Sequence, residues 1–310
     1  MLVSARAVAT NVPTPSCVDT MPNPPSGIGV DLSGGANLQL TGCGLTDDAT
    51  GSPAFKATGG IALTASFVDV AGSTISVRNG AFIMGATWPA VSTPPIVTGI
   101  TPMSDPLSSV LTAPPASEYS SGCSSATYGT GTYTIGPATS SGYVCYSSLT
   151  VTSGSPTINL RPGLYIFNGS GGLNIASGTT VNGTGGVSFY FVNGASFTFS
   201  NGATMNLTAP TTSVPSVGIN AGILFYQDPG QTSPFRAPDT AADTFQGGSS
   251  GQINGIFYLP AANLTFQNGG AATFSTDLVV GSLTMSGAGT LTPYAPVSGS
   301  SPLSSPTLVE

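Results

Sequence analysis

The carboxylates are the first candidates for chemistry in this chain. Asp31, Asp47, Asp48, Asp69, Asp228, Asp239, Asp243 and Asp277 are spread along its 310 residues. A glycosidase needs two carboxyl groups about 5–9.5 Å apart flanking the bond to be cleaved. Only Asp47 and Asp48 are adjacent, and neighbouring turn or strand positions point their side chains apart. The competing role for these residues is turn formation, because an Asp side chain bonds readily to its own backbone. A polysaccharide lyase would set a Lys or Arg beside an acidic, calcium-binding cluster. Lys56 and Arg78 stand in the N-terminal third with no such cluster beside them. His is absent, so a Ser-His-Asp triad is impossible. No metal and no other cofactor is expected.

Cys17, Cys43, Cys123 and Cys145 form no CxxC pair, which turns the reading away from zinc and towards disulfides. Four cysteines allow three connectivities. Proximity in the chain favours Cys17–Cys43 and Cys123–Cys145, each worth roughly 3 kcal/mol in the chain-entropy account. A redox pair is the alternative use.

A third cluster lies between residues 228 and 248. Asp228, Arg236, Asp239 and Asp243 gather there with Phe235 and three prolines, Pro229, Pro234 and Pro238. Prolines lower the ordering cost of binding. Asp228, Phe235, Arg236, Asp239 and Asp243 are therefore the expected contact residues for a partner subunit, a surface glycan or a cation. The plainer alternative is a solvated insertion with an internal Arg236–Asp pair.

What must position these groups is a repeat. The pattern apolar-x-apolar-x-x-Gly-x-x-apolar recurs, with local departures, from Val30, Phe55, Ile75, Leu173, Phe197 and Leu283, and in stretched form from Leu149 and Leu264. Alternating apolar residues suit a short strand with one buried face. The Ser/Asn/Gly-Gly step supplies positive φ and turns the chain. A further strand follows in segments such as GLYIFNG from Gly163 and GVSFYFVNG from Gly186. Three short strands per cycle of about 20–25 residues describe a right-handed parallel β-helix, an all-β solenoid in a single domain over residues 1–310. Two stretches break the rhythm. The Pro-rich segment over about 84–148 is expected as a strap on the outside, with Trp88 and Ile96 packed against the helix. The segment 228–248 is expected as a lateral loop insertion, and 293–310 as a tail.

Tyr165, Tyr190, Tyr226 and Tyr258 recur in one strand of successive coils. Facing outward they would make an aromatic strip able to stack on sugars; facing inward or under the strap they are core. Thr198, Thr265 and Thr284 form a threonine column of the kind that could meet ice, or are simply good exposed strand residues. The Asn-initiated sequons at Asn168, Asn182, Asn206 and Asn263 read as turns and strand ends.

Only 5% of residues are charged, the net charge is −7, and the five Lys and Arg side chains are scattered. Nucleic acid and anionic membrane surfaces are poor partners for such a chain. No apolar run reaches the length of a membrane helix. The start lacks the apolar core of a signal peptide, yet the composition has an exported look. A piece of a longer precursor is the expectation.

Several segments together resemble the C-terminal region of TadG-like proteins of the tight-adherence (Flp) pilus assembly system. They are PSCVDT and GVDLSGGANLQLTGCGL, then RPGLYIFNGSGGLNIASGTTVNGTGGVSFYFVNGAS, ATMNLTAPT, AGILFYQDP, INGIFYLPAANLTF and the terminal TLVE, spanning most of residues 13–310. The resemblance implies an extracellular or cell-surface structural or adhesive module without catalysis. It also implies pilus or cell-surface proteins, and surface glycans, as partners, and a pilin-like membrane helix upstream. The metal-binding DxSxS motif of a von Willebrand type A domain is absent. A carbohydrate-binding or carbohydrate-cleaving β-helix is the alternative.

Overall fold

The structure is a computed structural model. It describes residues 15–22, 26–85, 96–137, 142–232, 235–236, 238–246, 250–267, 273–288 and 290–292. The chain is nearly all-β and winds into a parallel solenoid of about nine turns. Each turn carries three short strands, and each strand pairs in parallel with its counterpart one turn away. One turn reads Gly163–Ile175, which bends from a first ladder into a second, followed by Thr180–Gly183 in a third. The glycine of the repeat makes the bend between second and third ladders. Gly178 and Gly202 hold φ of 74° and 79° there, a region where a Cβ is strained.

The repeat's apolar positions stack as columns. In the first ladder Tyr165, Phe189, Phe225, Phe257 and Leu278 are successive partners. In the second, Val151, Ile175, Phe199, Phe245, Phe266, Met285 and Leu32 are. Ile175, Phe199, Phe266 and Met285 hold the same place in four copies of the repeat and share this column, with Phe245 between Phe199 and Phe266. Rings of Phe199 and Phe245 lie 5.0 Å apart, and those of Phe245 and Phe266 5.1 Å apart. That is close to the natural separation of β-strands, about 4.8 Å, so aromatic stacking and backbone pairing reinforce one another.

The turns do not stack in chain order. Val18 pairs with Leu278 and Val30 with Leu283. The N-terminal turns, from Ser16–Thr20 to Phe82–Gly85, thus sit on the last C-terminal turn and extend the same rod. The edge left bare by 278–286 must be paired, and the N-terminal turns present the matching apolar columns.

The chain then has to return along the whole rod, and the Pro-rich strap does so. Met103 N–H donates to Asp48, Tyr258 Oη to Asp105, Thr112 N–H to Asn220, and Asn168 Nδ2 to the Tyr119 carbonyl. These anchors descend the rod in order. The strap is shorter than the 84–148 expected, because Ile96–Thr98, Ser124–Tyr128, Thr132–Ile135 and Tyr143–Val151 are strands of the solenoid. Ile96 is a strand residue rather than a strap contact; Trp88 and the tail 293–310 lie outside the described residues.

Candidate functional site

Both disulfides form as expected. Cys17 and Cys43 join two adjacent turns, with Cα atoms 5.7 Å apart, at the junction of the chain's two ends. Cys123 closes onto Cys145, Cα atoms 4.7 Å apart, and pins the lower end of the strap. Two such bonds point to an oxidising compartment.

The tyrosine column divides. Tyr165 faces inward, and its hydroxyl donates to the carbonyls of Ile135 and Arg161. Tyr190, Tyr226 and Tyr258 face outward in the register Tyr190–Tyr226–Tyr258–Val279–Asp19. All three are nonetheless buried, in a second apolar cluster with Leu107 and Tyr119 of the strap. They are a seam under the strap and offer no open aromatic strip for sugar stacking.

The segment 228–248 holds a surprise. Gln231–Thr232 and Phe235–Arg236 form a small antiparallel hairpin, while Asp243–Gln246 is a strand of the solenoid, pairing with Leu264–Gln267. Asp243 takes the slot of Leu264 and is fully buried. Its Oδ1 accepts the Phe197 N–H at 2.8 Å. Burial pushes its carboxyl well above the usual range. Asp239 is buried too; it accepts N–H bonds from Gly194 and Ala241, and burial raises its pKa. Asp228 is buried, its Oδ1 accepts from Gly230 N–H, and its carbonyl accepts from Asp239 N–H. Asp228, Asp239 and Asp243 are thus buried rather than presented as the open contact set expected of them, while the backbone of Phe235–Arg236 lies in the hairpin. The signal was in the sequence: Thr244-Phe245-Gln246-Gly247 repeats Thr265-Phe266-Gln267 one coil early, with Asp where the pattern has Leu.

Asp47, Asp19 and Asp31 lie in the N-terminal turns. Asp47 is buried and its Oδ1 accepts from Thr20 Oγ1 and Ala49 N–H at 2.8 and 2.9 Å. Burial pushes its carboxyl up to about 6, and that of Asp19 likewise to about 6. Asp31 pairs with Lys56 Nζ at 2.8 Å on the rod's surface. Among the described residues no group of three acidic, Cys or His side chains is placed to hold a metal ion, and no helix is long and apolar enough to cross a membrane.

The third ladder carries a periodic surface. Its strands are Thr132–Ile135, Thr157–Leu160, Thr180–Gly183, Thr204–Thr208, Ser250–Asn254, Thr273–Ser275 and Thr290–Thr292. Ile158, Val181, Met205 and Ile253 point into the core, so the alternate residues point out. Thr132, Thr157, Thr180 and Thr204 form one outward column. Thr134, Asn159, Asn182 and Asn206 form a second, two residues along each strand. Asn206 Nδ2 donates to Asn182 Oδ1, and Asn182 Nδ2 to Asn159 Oδ1, each at 3.0 Å. All six pairings along this ladder keep strict register, whereas several elsewhere are shifted by bulges. The column expected from Thr198, Thr265 and Thr284 also exists, completed by Thr244, but the column beside it mixes Gln246, Gln267 and Ser286, and the face runs into the Asp31–Lys56 pair. Sequence reading missed the double column; the signal was TYT, TIN, TVN and TMN at the head of successive third strands.

Comparison with protein-family models, with curated proteins and with solved structures finds no match to this chain.

Proposed function

We propose that the chain is a non-enzymatic, extracellular structural or adhesive module of a pilus system, the role implied by its resemblance to TadG-like proteins. One observation supports the reading: the adjacent pair Asp47–Asp48 and the buried Asp243 are engaged in holding the rod together. Asp47 bonds Thr20 and Ala49, Asp48 anchors Met103 of the strap, and Asp243 bonds Phe197. The disulfides and the Ser/Thr/Asn surface suit life outside the cell. Pilus or cell-surface proteins are the partners of this reading, and the hairpin bearing Phe235 and Arg236 is its contact point. In-frame deletion of this region in the native host tests it. Loss of piliation or of surface adhesion is expected; full piliation with full adhesion would refute the role.

A second reading, carbohydrate binding, has an observation of its own. An open cleft of about 540 Å³ lies between the ends of the third and first ladders, lined by Pro162, Gly185, Gly186, Thr208, Thr211 and Thr212 among others. Its walls are mainly apolar, with the hydroxyls of Thr184, Thr208, Thr211 and Thr212 among them and no carboxylate, so it could hold a neutral sugar but lacks the pair that cleaves one. Glycan-array binding that is lost on Gly185→Trp would favour it.

A further inference from the structure

The double column on the third ladder is a two-dimensional array. Along the rod its side chains repeat at the strand separation of about 4.8 Å, and across it at the two-residue rise of about 6.6 Å. Over the four turns from Thr132 to Thr204 the array keeps this spacing without a bulge. Thr132 and Thr134 are exposed, and the other six members are partly exposed.

Three features narrow what such a face can meet. The described strands of this ladder carry no Asp, Glu, Lys or Arg, so its electrical complement is a neutral surface. Its only rings, those of Tyr133 and Phe274, pack towards the core, so no aromatic platform is offered to a sugar. The groups are also preset. Threonine is stiff at χ1, and the asparagines are held in line by their own hydrogen bonds. Fixed hydroxyls and amides at constant spacing can hold first-shell waters in a pattern. Flexible or charged side chains would impose a hydration shell of their own. A partner that gains from strict two-dimensional register must itself be periodic, and about 4.8 Å is close to the repeat of water oxygens along one axis of hexagonal ice.

We propose that the face formed by the Thr132–Thr204 and Thr134–Asn206 columns binds the surface of ice. This deepens the adhesive reading and rests on it for the extracellular setting, while the binding itself depends only on the array. The test uses the full disulfide-bonded chain during slow directional freezing, measuring the protein taken into the ice against an inert carrier protein, with ice recrystallisation as a second readout. The chain is expected to be enriched in ice and to halt recrystallisation. The pair Thr157→Tyr and Thr180→Tyr is expected to lose both effects while keeping the wild-type melting temperature. The pair Thr198→Tyr and Thr265→Tyr, on the neighbouring ladder, is expected to retain them. Should the tyrosine pair unfold, Thr180→Val, which exchanges the hydroxyl for a methyl at nearly constant shape, is read by a reduced uptake. Exclusion of the wild-type chain from ice, or undiminished uptake by the folded array variants, overturns the proposal. Array-dependent binding to crystalline chitin or cellulose by a chain that ice excludes also overturns it, and leaves the adhesive reading standing. Loss of host adhesion on deletion would be unaffected by either result.

Discussion

Val18 and Leu278 are partners in one parallel ladder although they stand near opposite ends of the described chain. The last C-terminal turn would otherwise present a bare strand edge, the feature that drives uncontrolled pairing between chains. The N-terminal turns cover it. A chain beginning at residue 99 should therefore associate, because the edge of 278–286 would be open. Sedimentation of that truncated chain is expected to show oligomers. A stable monomer with the parent's melting temperature would mean that the N-terminal turns are dispensable ornament.

Phe245 sits in the middle of the continuous aromatic stack between Phe199 and Phe266 and is buried. Phe245→Ala should cost about 3–5 kcal/mol, since the neighbouring turns are fixed by their ladders and cannot collapse into the space. Chemical denaturation measures this directly. A loss under about 1 kcal/mol, far below the usual range for buried Phe, would contradict the stacking.

The strap closes the long return of the chain, and its ends are secured differently. At its lower end Cys123–Cys145 closes a loop with sequence separation 22. Replacing both cysteines by Ser should cost about 3 kcal/mol and expose the segment 99–122 to proteases before the rest. At its upper part Tyr258 Oη donates to Asp105 at 2.7 Å. Tyr258→Phe should cost about 1–3 kcal/mol, because it strips a donor from a carboxylate in a partly buried place. Proteolysis that starts in the coils instead of the strap in either variant would show that the strap is not the weakest element.

The fold was legible because each coil writes the same local message. Apolar alternation in Leu173–Ile175 or Phe197–Phe199, followed by a glycine at positive φ, marks strand and turn without reference to distant residues. The disulfides were legible because each joins neighbouring turns, which keeps its cysteines close in sequence. Coil order was not legible. Leu278 and Leu283 would accept any strand with apolar alternate residues, and nothing local in Val18 or Val30 states which edge they meet. The internal roles of Asp239 and Asp243 were hidden for a related reason. A charged residue in a Pro-rich stretch reads as solvated, while the structure buries both and gives Asp239 two backbone N–H donors and Asp243 one. The outward Thr and Asn columns were half-legible: their spacing is in the sequence, but which strands share a ladder depends on how the coils align.

Stability should depend on pH in an unusual direction. Burial raises the Asp19 and Asp47 carboxyls to about 6, above the value near 4 of an unfolded chain. Between those values the folded state holds protons that the unfolded chain has released. Their contribution is therefore full below about pH 4 and is lost as the pH rises through about 6. Each group accounts for roughly 3 kcal/mol, so the melting temperature is expected to fall between pH 4 and pH 7 and to level off above. A melting temperature that rises across that range would mean that these carboxyls are stabilised as anions.

Asp243 allows the sharpest separation of charge from hydrogen bonding. Its slot belongs to an apolar column in which Leu264 and Leu283 are the next partners, so Leu would fit by pattern. Yet Phe197 N–H donates to Asp243 Oδ1, and a Leu there leaves that buried donor without its acceptor. Asp243→Leu should therefore destabilise by about 1–3 kcal/mol despite the added apolar surface. Asp243→Asn keeps an acceptor and removes a carboxyl that burial already disfavours as an anion. Its stability should equal or exceed that of the parent at pH 7, with the gain vanishing towards pH 4. Urea denaturation of both variants at the two pH values decides the matter. A Leu variant more stable than the Asn variant would show that the repeat tolerates Asp243 as a misfit, and that the bond to Phe197 adds nothing.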